Sequence, residues 1–245
     1  MVAAHDSLDL DLETDPDGSA SGGWLLFAAV FRRDMALALR GGGAFLNAVI
    51  FFALFIGLGA FAVGPRPDLQ AQIAPAMVWL GATLAAQLAT ADLFERDLED
   101  GSLDALVAEG ASLTPVVLAK AAALWVSAVG PVILASPLMG LMFGLPLEAL
   151  LPSALALVVG TPGLVLACAI GAALKAGARA GSFLMLVLSG PLLIPVLIFG
   201  VGANAEIVRS GALWSPDMRL LLALTLGFII IMPGFGALAL RQSVD

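Results

Sequence analysis

Six long apolar runs constrain the fold of this sequence more than any other feature. A helix needs about 20 apolar residues to cross the hydrocarbon core of a bilayer, and each run approaches or exceeds that length. The sequence therefore predicts an all-α membrane protein with six transmembrane helices. The runs lie at about Phe45–Val63, Ala74–Leu93, Val116–Phe143, Leu150–Leu174, Phe183–Ala203 and Met218–Leu240.

The apolar runs carry almost no charge. Within the last five, the only charged residues are Asp92, Lys120 and Arg219, and each lies near an end of its run. A transporter that is coupled to protons or cations usually needs an ionisable residue at membrane depth. The pattern argues against that class, and equally against an intramembrane enzyme with paired acidic, His or Cys groups.

The composition also excludes several kinds of catalytic site. Apolar residues make up 60% of the chain and charged residues 12%, whereas soluble domains have about 25% charged residues. The one histidine, His5, precedes the apolar runs, so these offer no imidazole as a general base, zinc ligand or haem ligand. The one cysteine, Cys168, excludes an internal disulfide. We expect no catalytic residue, no metal site and no directly bound cofactor.

The region before the first run has two parts. Residues 1–23 hold six acidic residues and no Lys or Arg, which predicts a disordered acidic tail. Residues 24–40 instead have apolar residues at helical spacing, interrupted by Arg32, Arg33 and Asp34. That pattern predicts an amphipathic helix that lies in the membrane interface ahead of the six spans.

Basic residues predict the orientation of the spans, because cytoplasmic loops are enriched in Lys and Arg. Eight basic residues fall on the side of the N-terminus and three on the other side, so we expect both termini in the cytoplasm. The eight are Arg32, Arg33, Arg40, Arg96, Lys120, Lys175, Arg179 and Arg241, and the three are Arg66, Arg209 and Arg219.

Glycines inside the predicted spans are expected to mark close helix packing, since small residues let two backbones approach. They occur in two groups, one in the first span and one in the last. The groups are Gly57 and Gly59, then Gly227, Gly234 and Gly236.

The connection between the second and third spans has its own pattern. Residues 92–109 contain seven acidic residues and Arg96, and their apolar residues fall near helical spacing. Gly101 can end one helix and Ser102 can cap the next. This predicts a helix, a break and a short amphipathic helix on the cytoplasmic face, over about residues 95–110, which we call the coupling segment. A solvated acidic loop is the alternative, although a loop would not require the helical spacing.

The coupling segment resembles a known arrangement. Glu95-Arg96, followed by Gly101-Ser102-Leu103 and Leu106, resembles the E-R-x-x-x-x-G-[ST]-L-x-x-L pattern of ABC-2-type exporter permeases. A more specific resemblance is to the CcmB family, the haem-exporter-type permeases of cytochrome c maturation. It covers about residues 24–241 as one permease domain, and is carried by Phe94–Asp104, Val117–Lys120, Gly160–Leu164 and Pro191–Gly200.

The resemblance implies a permease subunit, not an enzyme, that acts in haem export or in release of a haem chaperone. The chain has no P-loop to cradle nucleotide phosphates, so ATP would be used by a separate CcmA-like ATPase. The resemblance further implies a homodimer in the bacterial inner membrane, with CcmC, CcmD and CcmE as neighbours, and haem as a transported or handled ligand. No nucleic-acid partner is expected. The alternative is an ABC-2 permease for another substrate, such as a lipid or drug.

The same resemblance implies which residues contact the ATPase. Six charged residues would supply polar contacts, two leucines would supply apolar contacts, and Gly101 and Ser102 would shape the turn between the helices. Among the charged residues, Arg96 is expected to hold the segment together and not to touch nucleotide. The ten residues are Glu95, Arg96, Asp97, Glu99, Asp100, Gly101, Ser102, Leu103, Asp104 and Leu106.

Overall fold

A computed structural model describes residues 16–41, 43–178 and 182–244 of the chain. Over these ranges the regular structure is helical and includes no β-strand. Six segments are long and apolar enough to cross a membrane. The predicted all-α membrane protein with six spans is therefore confirmed.

Ten α-helices follow one another along the described residues. They are α1 (Pro16–Gly41), α2 (Gly43–Val63), α3 (Pro67–Thr90), α4 (Glu95–Glu99), α5 (Ser102–Ala108), α6 (Thr114–Leu124), α7 (Gly130–Met142), α8 (Leu147–Ala178), α9 (Ser182–Ser210) and α10 (Pro216–Val244).

The third span consists of α6 and α7, joined by the π-helical segment Trp125–Val129. Pro131 follows this segment and has no amide hydrogen. It cannot form the α-helical bond to the carbonyl four residues earlier, and its ring crowds that carbonyl. The wider π turn relieves the crowding without ending the span.

Helix α1 begins earlier than predicted. Its first residue is Pro16, eight residues before Trp24, so residues 16–23 are helical and not part of a disordered tail. Proline is favoured at the first position of a helix because its φ is already helical and its missing amide hydrogen is not needed there. The remainder of the predicted tail, residues 1–15, lies outside the described residues.

Helix α1 packs chiefly against α6. Val30 is buried in this contact, whereas Trp24 and Leu25 are about 70% exposed. The rings of Trp24 and Phe27 stack with centroids 5.0 Å apart. The helix thus has one face on the bundle and an apolar face that no other described part of the chain covers, as predicted for an amphipathic helix.

Helix α8 occupies the centre of the bundle and contacts α3, α6, α7, α9 and α10. The indole of Trp79, on α3, is fully buried between α8 and α9. Glycines make room for it, because a Cβ on Gly160 or on Gly200 would come within 2.7 Å of the ring. Three spans are therefore in direct contact around one large side chain.

The six spans alternate in direction, so their ends fall on two surfaces. One end of the bundle holds the end of α1 and the start of α2, helices α4 and α5, the end of α8 and the start of α9, and the end of α10. The candidate site is at this end.

Candidate docking site

Helices α4 and α5 form the predicted helix, break and short helix. Gly101 lies between them with φ of +73° and ψ of 10°. This left-handed conformation is strained for residues with a Cβ and suits glycine. The chain therefore turns sharply after α4 and returns as α5 without a long loop.

The cap of α5 differs from the prediction. Ser102 is the first residue of the helix and not its cap. The carboxylate Oδ1 of Asp100 accepts a hydrogen bond from the Ser102 amide at 2.9 Å, and the Ser102 hydroxyl oxygen also lies 3.3 Å from the Asp97 carbonyl oxygen. Bonding from the hydroxyl and amide of Ser102 lowers the pKa of Asp100, as expected for a carboxylate that accepts bonds in its charged form.

A cluster of four charged residues connects α4 to α1 and α6. Asp97 accepts a bond from Arg33 Nη2 at 2.7 Å and lies 2.5 Å from Lys120 Nζ. The same ammonium group lies 2.9 Å from Asp34 Oδ2. We call Arg33, Asp34, Asp97 and Lys120 the ion-pair cluster. Two positive and two negative charges compensate each other, so each charge that burial removes from water has an opposite charge beside it.

Burial is deepest at the centre of the ion-pair cluster. Asp97 is 6% exposed and Lys120 5% exposed. The charges of Asp97 and Asp34 raise the pKa of Arg33, and they outweigh the opposing effect of its burial. Phe94 is buried beneath the cluster, with its ring centroid 6.0 Å from Lys120 Nζ. Removing one of these charges would leave the remaining buried charges only partly compensated.

A second set of ion pairs connects α4 to α8. Lys175 Nζ lies 2.6 Å from Glu95 Oε1 and 3.2 Å from Asp92 Oδ1, and it donates to the Ala91 carbonyl at 3.0 Å. Lys175 is itself 6% exposed. Helix α4 is thus tied to α1 and α6 through Asp97, and to α8 through Glu95.

The ten predicted contact residues fall into three groups by exposure. Asp97 and Leu103 are buried, with Leu103 only 1% exposed, so neither reaches the surface of the chain. Arg96, Glu99, Asp100 and Asp104 are exposed. Half-buried positions are Glu95, Gly101, Ser102 and Leu106.

Leu103 was predicted to contact the ATPase, and the structure places it where the apolar face of α5 meets the bundle. Leu103 is part of the chain's own core, and Leu106 and Val107 pack against that core. The outward face carries Asp104 and Ala105. The apolar residues therefore hold α5 on the bundle, and the exposed face is acidic.

We define the docking surface as the five exposed charged residues along α4 and α5. One is basic and four are acidic, which gives this surface a net charge of −3. The residues are Arg96, Glu99, Asp100, Asp104 and Glu109. Such a surface can bind a basic partner.

Four important residues near the coupling segment had no predicted role at the site. They are Arg33, Asp34, Lys120 and Lys175. The contacts that join them to each other or to the coupling segment span from 23 positions, for Lys120 and Asp97, to 86 positions, for Lys120 and Asp34. The sequence contained one sign of these contacts, because Lys120 is a charged residue within an apolar run that follows an acidic segment. A charge in that position requires a partner.

Metal ligation receives no support from the described residues. Among them, no group of three or more His, Cys, Asp or Glu side chains could hold a metal ion. Cys168 is fully buried. His5 lies outside the described residues.

The sequence matches the family model described as "CcmB protein" over residues 25–243. It is 42% identical to "Heme exporter protein B" of Bradyrhizobium diazoefficiens, over 89% of this chain and 98% of the relative. The protein of the same name from Haemophilus influenzae is 36% identical, over 90% of this chain and all of the relative. That of Escherichia coli K12 is 35% identical over the same shares. The chain therefore belongs to the CcmB family.

Proposed function

We propose that this chain is the membrane permease subunit of a haem-export system for cytochrome c biogenesis. Its relatives carry the name "Heme exporter protein B", and the chain has the six spans expected of a permease. The alternative, a permease for a lipid or drug, has no specific observation in its favour.

The proposed source of movement is a separate CcmA-like ATPase that binds the docking surface. The observation that carries this proposal is an exposed acidic face on two short helices whose other faces are anchored in the bundle. Complementary charge guides partners together and fixes their orientation. The ATPase would therefore present a basic groove to Glu99, Asp100, Asp104 and Glu109.

The anchoring contacts supply the route by which movement would reach the membrane. The ion-pair cluster ties α4 to α1 and α6, and Lys175 ties it to α8. A displacement of α4 would therefore move the ends of three other helices. Asp97 acts in this scheme as a positioning residue within the chain and not as a contact to the ATPase.

Haem is handled by the export system, and we propose that this subunit chiefly transmits ATP-driven movement to the other subunits. The sequence has no tyrosine, and its one histidine is His5, so the spans lack the side chains that most often ligate haem iron. The proposed complex contains two copies of this chain, the ATPase, CcmC and CcmD, and releases haem-loaded CcmE. Both termini would face the cytoplasm from the bacterial inner membrane.

Charge reversal on the docking surface tests the proposal. The chain would be recovered from detergent-solubilised membranes as wild type and as the double variant Glu99→Lys/Asp104→Lys. A matched control is Glu148→Lys, an exposed acidic residue at the opposite end of the bundle. We expect wild type and control to recover a P-loop ATPase and the double variant to lose most of it. Exposed charge pairs contribute only ~0.2–1 kcal/mol each, which is why two reversals are combined.

Two results would contradict this proposal. Full recovery of the ATPase by the double variant would show that the docking surface is not the contact. Recovery of an ATPase without CcmC or CcmE by the wild type would favour an export system unrelated to cytochrome c.

A further inference from the structure

A groove of about 450 Å³ lies between the start of α6 and the last turns of α10. Its apolar wall is a strip of α10 on the outside of the bundle. Ile231, Phe235 and Leu238 are each more than 50% exposed there. Gly234 deepens the groove, since a Cβ at that position would meet no atom within 4 Å. The wall is therefore suited to a flexible hydrocarbon chain.

The groove ends in polar groups. Arg241 on α10 faces Ser112 and Thr114 across the opening, and all three residues are exposed. Unlike Arg33 and Arg209, Arg241 forms no ion pair among the described residues. An arginine beside two hydroxyl groups is suited to a phosphate, which guanidinium can bind through two parallel hydrogen bonds.

The length of the groove matches one leaflet of a bilayer. Ile231 and Arg241 are ten residues apart on one helix, which corresponds to about 15 Å at 1.5 Å per residue. The hydrocarbon core of a bilayer is ~30 Å thick. The polar end lies at the end of the bundle that carries the docking surface. The wall thus changes from apolar to cationic over the depth at which a lipid changes from acyl chain to headgroup.

We propose that this groove binds an anionic phospholipid from the leaflet on the docking-surface side. One acyl chain lies along Ile231, Gly234 and Phe235, and the phosphate contacts Arg241. Charge complementarity identifies the occupant, because an anionic headgroup leaves the guanidinium with a net negative partner, whereas a zwitterionic headgroup brings its own cation. This proposal does not depend on docking of an ATPase.

Native mass spectrometry of the full-length chain tests the proposal. The chain, purified in mild detergent, would be titrated with phosphatidylglycerol and, separately, with phosphatidylcholine. Arg241→Gln removes the headgroup contact, and Gly234→Leu fills the groove. Arg219→Gln and Gly227→Leu are matched controls on the same helix, since Arg219 is exposed at the opposite end and Gly227 faces open space outside the groove.

We expect wild type and both controls to bind phosphatidylglycerol more tightly than phosphatidylcholine. Arg241→Gln should weaken binding of phosphatidylglycerol about fivefold, as expected for loss of one basic residue beside an anionic lipid. Gly234→Leu should weaken binding of both lipids at this site. If Gly234→Leu does not fold, the binding of phosphatidylglycerol by Arg241→Gln alone tests the proposal.

Three results would overturn the proposal. One is equal binding of phosphatidylglycerol by wild type and Arg241→Gln. Another is binding of phosphatidylcholine by the wild type as tightly as binding of phosphatidylglycerol. The third is a change of oligomeric mass in Gly234→Leu without loss of lipid, which would assign the groove to a second copy of the chain.

Discussion

Replacing Lys120 with methionine removes an ammonium group that contacts both carboxylates of the ion-pair cluster. Lys120 Nζ lies 2.9 Å from Asp34 and 2.5 Å from Asp97. Methionine preserves much of the length of the lysine stem and deletes the charge. The substitution therefore tests whether the ion-pair cluster holds α1, α4 and α6 together.

The expected loss of stability follows from the burial of these groups. Breaking a buried ion pair by removing one partner costs about 3–5 kcal/mol, because an uncompensated charge remains. Arg33 stays beside Asp97 and its side chain is 42% exposed, so part of the cost is offset and the lower end applies, about 3 kcal/mol. For a chain of this size 1 kcal/mol shifts Tm by about 2–4 °C. The expected decrease in Tm is therefore about 6–12 °C.

The assay is thermal unfolding of the purified chain in detergent. Arg40→Met is a matched control, since Arg40 is exposed and takes part in no ion pair among the described residues. Its Tm should remain within about 1 °C of the wild type, as for most surface substitutions. The double variant Lys120→Met/Asp97→Asn removes one charge of each sign. Its loss should be smaller than the sum of the single losses by about 1–3 kcal/mol, because the two residues are in direct contact.

Two results would refute this reasoning. A decrease in Tm no larger for Lys120→Met than for Arg40→Met would show that the ion-pair cluster contributes little stability. Strict additivity in the double variant would show that Lys120 and Asp97 do not interact in the folded chain.

Two further predictions concern glycines. Gly200→Ala should lower stability by about 1–3 kcal/mol, the usual cost of overpacking, because its Cβ would come within 2.7 Å of the Trp79 ring. Thermal unfolding beside Gly190→Ala, whose Cβ would meet nothing within 4 Å, should separate overpacking from a general helix effect, and equal Tm values would contradict it. Gly101→Ala should destabilise the turn by about 1–2 kcal/mol, because its φ of +73° is unfavourable for residues with a Cβ. Amide hydrogen exchange over residues 95–108 should increase in Gly101→Ala and less in Gly101→Asn, since asparagine tolerates this conformation; similar exchange in both would count against the argument.

The number of spans could be predicted from the sequence because it depends on the length and polarity of single segments. The sequence could not predict whether the apolar face of an amphipathic helix is directed toward the bundle or toward a partner. The spacing of Leu103 and Leu106 marks an apolar face, but spacing does not distinguish a face that packs on its own chain from one that binds a partner. In the structure Leu103 is in the core, which leaves the acidic face of α5 outside.

Contacts between distant segments were also beyond prediction. The acidic coupling segment was recognised, but its partners Arg33, Lys120 and Lys175 come from three other helices. Glycines illustrate the same limit. A Cβ on Gly236 would lie 3.0 Å from Val117, as close packing requires, whereas Gly227 and Gly234 face open space. A single sequence does not reveal which side of a helix a neighbour occupies.

The position of Trp79 along α3 limits how that helix can move. The ring lies against Gly160 and Gly200, so sliding α3 along its axis would drive the ring into larger neighbours, while tilting would leave the ring in place. Trp79 is 12 residues from Pro67 and 11 from Thr90, or about 18 Å and about 17 Å from the two ends. Because Trp79 lies near the middle of α3, a tilt of the helix about this residue would move its two ends by similar distances in opposite directions. If the proposed ATPase moves the end of α3 that adjoins α4, the opposite end of α3 should move by a similar distance.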